Sequence, residues 1–142
     1  MTSPERRIEL ARAGLDAYLA GDLQRVVEMM DPEVVVVAGP GLPEAGTYRG
    51  RDQFLAWTKR WLDAWDEFRM EMESIEAVGD RHAVAAVLQR GRGRGSGIEV
   101  EMATGHVYGF AGEELTYFGL YASLEQALAD ARSREEGETD AG

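Results

Sequence analysis

Apolar residues recur every three or four positions through the first third of the chain, and at every second position through most of the second half. The first spacing gives a helix one inward face, and the second does the same for a strand. Pro4 is placed to open a helix running to about Ala20, with Ile8, Ala11, Leu15, Tyr18 and Leu19 as its apolar stripe. Gly21 ends it. Asp22 can then cap a second, short helix through about Met30, which Asp31-Pro32 stops because the residue before proline is pushed out of the helical region. Val34 to Ala38 is a β-branched run and predicts a first strand, followed by a loop over Gly39 to Gly46. A brief extended Thr47-Tyr48 leads into a third helix, reaching about Trp65, that sets Phe54, Trp57, Trp61 and Trp65 on overlapping turns of one side.

The period then changes. Phe68, Met70 and Met72 alternate with Arg69, Glu71 and Glu73, and residues 81–91, 98–110 and 115–121 follow as further strands. In the longest of these, Ile98, Val100, Met102, Thr104, His106, Tyr108 and Phe110 share one face, and the other carries Glu99, Glu101, Ala103, Gly105 and Val107. Ala111-Gly112-Glu113-Glu114 fits a tight hairpin connection. Arg90-Gly91-Arg92-Gly93-Arg94-Gly95-Ser96-Gly97 predicts a mobile, twisted bend between strands, its arginines steering an anion or pairing with Glu99 and Glu101. Ser123 can cap a closing helix from Leu124 to about Arg134, leaving 135–142 as a frayed, disordered polar tail. Residues 1–134 thus form one α+β domain. The later strands lack the crossover helices that a doubly wound fold requires.

Composition narrows the function classes. The formal charge of -11 opposes a nucleic-acid backbone. Without cysteine there is neither a disulfide framework nor a thiolate nucleophile. No apolar run approaches the roughly 20 residues that cross a bilayer, and the first residues lack a secretory apolar segment, so a cytoplasmic protein without membrane contact is expected. The two histidines form no spaced cluster with carboxylates, and no metal is expected. His82, beside Asp80-Arg81, is expected at an exposed strand edge.

Several loose motifs occur in a telling order: Ala20-Gly21-Asp22-Leu23, Asp31-Pro32-Glu33-Val34, Tyr48-Arg49-Gly50-Arg51-Asp52-Gln53-Phe54, and His106 through Leu115 with the strand ending Leu120-Tyr121. With this arrangement, residues 5–130 resemble the NTF2-like superfamily, and within it the SnoaL-like proteins related to polyketide cyclases and ketosteroid isomerases. The resemblance implies a cone: a strongly curved mixed, largely antiparallel sheet wrapped around three N-terminal helices, with a short C-terminal helix and an apolar pocket. It also implies cofactor independence and a homodimer packed through sheet faces, for which the flat row around Ala103 and Gly105 is suited. Family members include isomerases, cyclases, dehydratases and pure binding modules, so the fold alone selects no reaction.

Ketosteroid isomerases place a protonated aspartic acid where His106 falls, and a histidine there can donate a hydrogen bond or act as acid or base. The alternative is a structural histidine bonded to Tyr18 or a tryptophan. Tyr18 lies on helix one, about a turn later than the family's catalytic tyrosine, and is either a second donor or core packing. The family's base has no counterpart in Val36-Val37-Ala38-Gly39. Trp57 and Trp61 are candidate pocket walls for an apolar small molecule, with Met30, Met72 and Met102 filling gaps and Tyr108 and Tyr121 completing the lining. Two functions follow: a cofactor-independent isomerase, cyclase or dehydratase using His106 and Tyr18, or a non-catalytic ligand-binding or dimerisation domain.

Overall fold

A computed structural model describes residues 2–141, with side chains through residue 137. Ser3 accepts a hydrogen bond from the Arg6 amide at 3.1 Å and caps α1 (Pro4–Leu19); Asp22 does the same for α2 (Leu23–Glu28) through the Arg25 amide. After α2 come β1 (Met30–Ala38), β2 (Gly46–Arg49) and α3 (Gly50–Asp63). The Arg51 guanidinium donates to the Met30 carbonyl at 2.5 and 3.1 Å, tying the start of α3 to β1. Then β3 (Trp65–Val78), β4 (His82–Gly93), β5 (Glu99–Ala111) and β6 (Glu114–Tyr121) run as an antiparallel meander, closed by α4 (Leu124–Ala141).

The six strands form one mixed sheet in the order β2-β1-β6-β5-β4-β3, with β1 parallel to β6. This is the expected α+β cone. Its concave face packs on α1, α2 and α3 through Val34, Val36, Leu120, Ala83, Ala85 and Val87. The alternate residues Val84, Val107 and Tyr117 point to the other face, where Ala127 and Ala131 of α4 cover them. No described helix is long and apolar enough to cross a membrane.

Five expectations are corrected. Trp65 opens β3 instead of ending α3, because the helix closes at Ala64. The glycine-rich run is strand before it is turn, since β4 extends through Gly93. A Cβ on Gly91 would lie 2.8 Å from Trp65 Cε3, so the glycine lets that ring lie flat on the sheet. The intervening arginines face outward and pair: Arg90 with Glu101 at 2.8 Å, Arg92 with Glu67 at 2.6 Å, and Arg94 with Asp66 at 3.4 Å.

His82, expected at an exposed edge, is 1% exposed. Its Nδ1 lies 2.5 Å from Glu135 Oε2, and the Glu135 carboxylate also accepts the Asp80 and Arg81 amides at 2.9 and 3.0 Å. Glu135 is therefore part of α4, and the helix runs past Arg134 because this carboxylate anchors it; of the expected tail, Gly142 lies outside the described residues. Finally, Gly105 and Val107 are not an open pairing surface, because α4 lies on them.

A Cβ on Gly105 would approach the Ser123 carbonyl oxygen at 2.5 Å and Ala127 Cβ at 2.6 Å. Gly105→Ala must therefore lift α4 from β5, with an expected loss of about 2 kcal/mol. The urea midpoint should fall at unchanged slope, and an unchanged midpoint would show that the helix is not seated this closely.

Candidate ligand cavity

The concave face and α1 to α3 line a half-open cavity of ≈ 90 Å³. Its wall comes from the three N-terminal helices and five of the strands: Leu15 and Tyr18 on α1, Val26 on α2, Met30 on β1, Phe54, Trp57 and Trp61 on α3, Met70 on β3, Gln89 on β4, His106 and Tyr108 on β5, and Leu115, Phe118 and Leu120 on β6. Gly14 completes fifteen lining residues, none of which carries a full charge at neutral pH once His106 is neutral. Trp61 continues into an aromatic cluster, tilted against Trp65 at 5.9 Å and edge-on to Phe68 at 6.4 Å, and Trp65 and Phe68 rest on Gly91.

Polar groups gather on one side. His106 Nδ1 lies 3.3 Å from Tyr108 Oη, and its Nε2 lies 3.5 Å from Gln89 Nε2. Gln89 Nε2 donates to Thr104 Oγ1 at 3.1 Å, and Thr104 donates to the Val87 carbonyl at 2.9 Å. Phe118 meets the His106 ring edge-on at 5.2 Å. Burial lowers the His106 pKa from 6.5 to about 3, so the imidazole is neutral at pH 7. Burial pushes the Tyr108 hydroxyl up, keeping it protonated. Tyr18 is also raised by burial, against the opposing effect of its 2.6 Å hydrogen bond with Thr58 Oγ1. Two buried polar atoms of the wall, Trp57 Nε1 and Gln89 Oε1, have no hydrogen-bond partner.

Of the residues singled out from the sequence, His106, Tyr18, Trp57, Trp61, Met30 and Tyr108 line this one cavity. Three others lie elsewhere. Met72 packs with Ala11, Ala85 and Phe110 beyond the cavity, where Met70 takes the lining place. Met102, paired with Gln89 in the β4–β5 register, is half-buried outside the lining. Tyr121 points to the opposite face of the sheet, its hydroxyl 2.8 Å from that of Tyr117. Tyr117 in turn donates to Asp130 of α4 at 2.8 Å, beneath the Arg134 guanidinium. Parity along β6 sends Tyr117, Gly119 and Tyr121 to α4 and Phe118 and Leu120 to the cavity.

The sequence reading missed Gln89, although Gln89 shares the face of Ala83, Ala85 and Val87 along β4, which was a usable signal. It also missed Leu115, brought inward by the register shift opposite Gly109/Phe110, which no periodicity shows. Among the described residues no group of three histidine, cysteine or carboxylate side chains is placed to hold a metal ion.

The family model described as the SnoaL-like domain matches residues 11–118. No curated protein matches the chain. Among solved structures, an NTF2-like protein of unknown function from Burkholderia pseudomallei superposes with a TM-score of 0.75 at 18% identity, covering 91% of this chain and 97% of that one. A hypothetical protein with a ketosteroid isomerase-like fold from Catenulispora acidiphila, in complex with trimethylamine, gives 0.70 at 19%, covering 87% and 92%. TerC, co-crystallised with polyporic acid, gives 0.73 at 15%, covering 89% and 98%. At these identities the likeness is one of fold.

Proposed function

Because the chain belongs to the SnoaL-like domain family, we propose that its cavity binds one small, neutral, mainly apolar molecule. The observation that carries this reading is the lining: aromatic and aliphatic walls, one uncharged polar patch, and no carboxylate, lysine or arginine among the fifteen residues. An ion would be desolvated there without a counter-charge, at a cost of several kcal/mol. Size is a second constraint. A space of ≈ 90 Å³ is smaller than the roughly 150 Å³ that admits benzene elsewhere, so a single six-membered ring is the upper limit and enters by displacing a lining side chain.

Binding fits the wall better than acid–base catalysis. An isomerase or dehydratase needs a proton acceptor near neutral pH, and a histidine with a pKa of about 3 is a weak one. The end of β1 supplies only Val36, Val37, Ala38 and Gly39, none of which takes a proton. His106 and Tyr18 are in this reading neutral members of the wall, His106 within its uncharged polar patch.

Calorimetric titration tests the proposal with a pair of similar ring size that differs in charge. Cyclohexanone is expected to bind at one site, and cyclohexanecarboxylate at least roughly tenfold more weakly, a difference of about 1.4 kcal/mol. Equal affinities, or no binding of the ketone, would reject it.

A further inference from the structure

We propose that a one-way run of hydrogen bonds, from the Val87 carbonyl through Thr104, Gln89 and His106, leaves the Tyr108 hydroxyl hydrogen free to bind the carbonyl oxygen of a neutral ligand. The inference rests on the cavity being a binding site, and it assigns the donor to Tyr108 instead of His106.

The direction follows from which atoms can only accept. A backbone carbonyl has no hydrogen, so at 2.9 Å the Thr104 hydroxyl must donate to Val87 O. Thr104 Oγ1 then offers only lone pairs to Gln89, 3.1 Å away, which places the amide NH2 group toward it and Gln89 Oε1 away from it. The second hydrogen of that NH2 faces His106 Nε2 at 3.5 Å. Two N–H groups cannot bond to each other, so Nε2 carries the lone pair and the ring hydrogen sits on Nδ1. A neutral imidazole is required for this, and the buried ring is neutral at pH 7. Nδ1–H points at Tyr108 Oη, 3.3 Å away, and uses one of its lone pairs.

Every hydrogen in the series is thereby committed except the last. Tyr108 is 6% exposed and lines the cavity, so its hydroxyl donates to whatever occupies that space. The indole N–H of Trp57 is a second uncommitted donor in the wall, and both suit an oxygen that only accepts. Gln89 Oε1, turned away from Thr104 by the same logic, is an uncommitted acceptor and suits a hydroxyl on the ligand. Thr104 and His106 are positioning residues: joined through the Gln89 amide NH2, they set the polarity that Tyr108 presents.

Two measurements decide it. In ¹⁵N-labelled protein without ligand, the His106 ring is expected as the Nδ1–H tautomer from pH 8 to pH 5, while Gln89→Leu produces a mixture of tautomers. An Nε2–H ring, or titration of His106 near its ordinary value, would overturn the polarity. Infrared spectra of carbonyl-¹³C cyclohexanone bound to the protein are expected to show a lower stretching frequency than in Tyr108→Phe, which keeps the ring and its packing. Binding to both proteins at one frequency rejects the Tyr108 donor alone. Failure of the ketone to bind either protein rejects the cavity reading together with the ligand assignment.

Discussion

Between pH 6.5 and about 4, the protein is expected to lose about 3 kcal/mol more unfolding free energy than a His106→Gln variant loses. The cause is the buried, neutral imidazole. In the folded protein its pKa is about 3, and in the unfolded chain it returns to 6.5. Between those values the unfolded state binds a proton that the folded state refuses, so each pH unit of acidification favours unfolding by about 1.4 kcal/mol. Well above pH 6.5 the ring is neutral in both states and contributes no slope. Glutamine keeps a polar side chain opposite Gln89 and Tyr108 but does not titrate, so carboxylate effects such as the lowered pKa of Glu135 beside His82 are common to both proteins and cancel. Urea midpoints at a series of pH values read the difference. Parallel stability curves for the two proteins would mean that His106 takes its proton while folded, and that the polar patch is open to water.

Replacing Arg7 by methionine is expected to lose about 3 kcal/mol, lowering Tm by about 10 °C. Arg7 is 2% exposed and holds no carboxylate among the ion pairs of the described residues. Its guanidinium instead donates to three carbonyls of the β3–β4 turn: His82 at 2.6 Å, Gly79 at 3.0 Å and Val78 at 3.4 Å. Methionine fills most of the volume but leaves those acceptors without donors, and buried acceptors lacking partners are destabilising by about 1–3 kcal/mol each. The planar fork matters as well as the charge, so Arg7→Lys should recover only part of the loss. A Tm within a degree or two of the wild type would show that water replaces the guanidinium without penalty. The same turn is held from the other side by Glu135, which makes it the meeting point of α1, the sheet and α4.

Much of this arrangement was legible in the sequence where a single period ran unbroken. Alternation from Ile98 to Phe110 was enough to put Thr104, His106 and Tyr108 on one face, and the structure turns that face toward the helices. Spacing in α3 set Phe54, Trp57 and Trp61 inward for the same reason. What the pattern lacked was the second partner of each residue. His82 sits beside Asp80 and Arg81 and looks solvated until Glu135, far along the chain, covers it. Gln89 falls on the inward face by parity, but its amide has no reason to be buried until Thr104 on the neighbouring strand supplies a partner. Tyr121 is as aromatic as Tyr108, yet it faces α4, whose Asp130 and Arg134 receive the Tyr117–Tyr121 pair. Arginines alternating with glycines suggested a loop by composition, and became a strand because Gly91 receives Trp65 while the arginines find Glu101 and Glu67.

The parallel pairing of β1 with β6 has a kinetic consequence. Val35 lies beside Tyr117, about 80 residues later, whereas β3 to β6 join through short connections. Hairpins close early because little chain entropy is lost, and the parallel seam must wait until the N-terminal segment has been captured over that long loop. The cavity wall draws Met30 from one side of the seam and Phe118 and Leu120 from the other. An emerging chain therefore has no cavity to offer until the last strand has been made, and a small molecule that fits would slow the reopening of the seam while leaving its rate of closure unchanged.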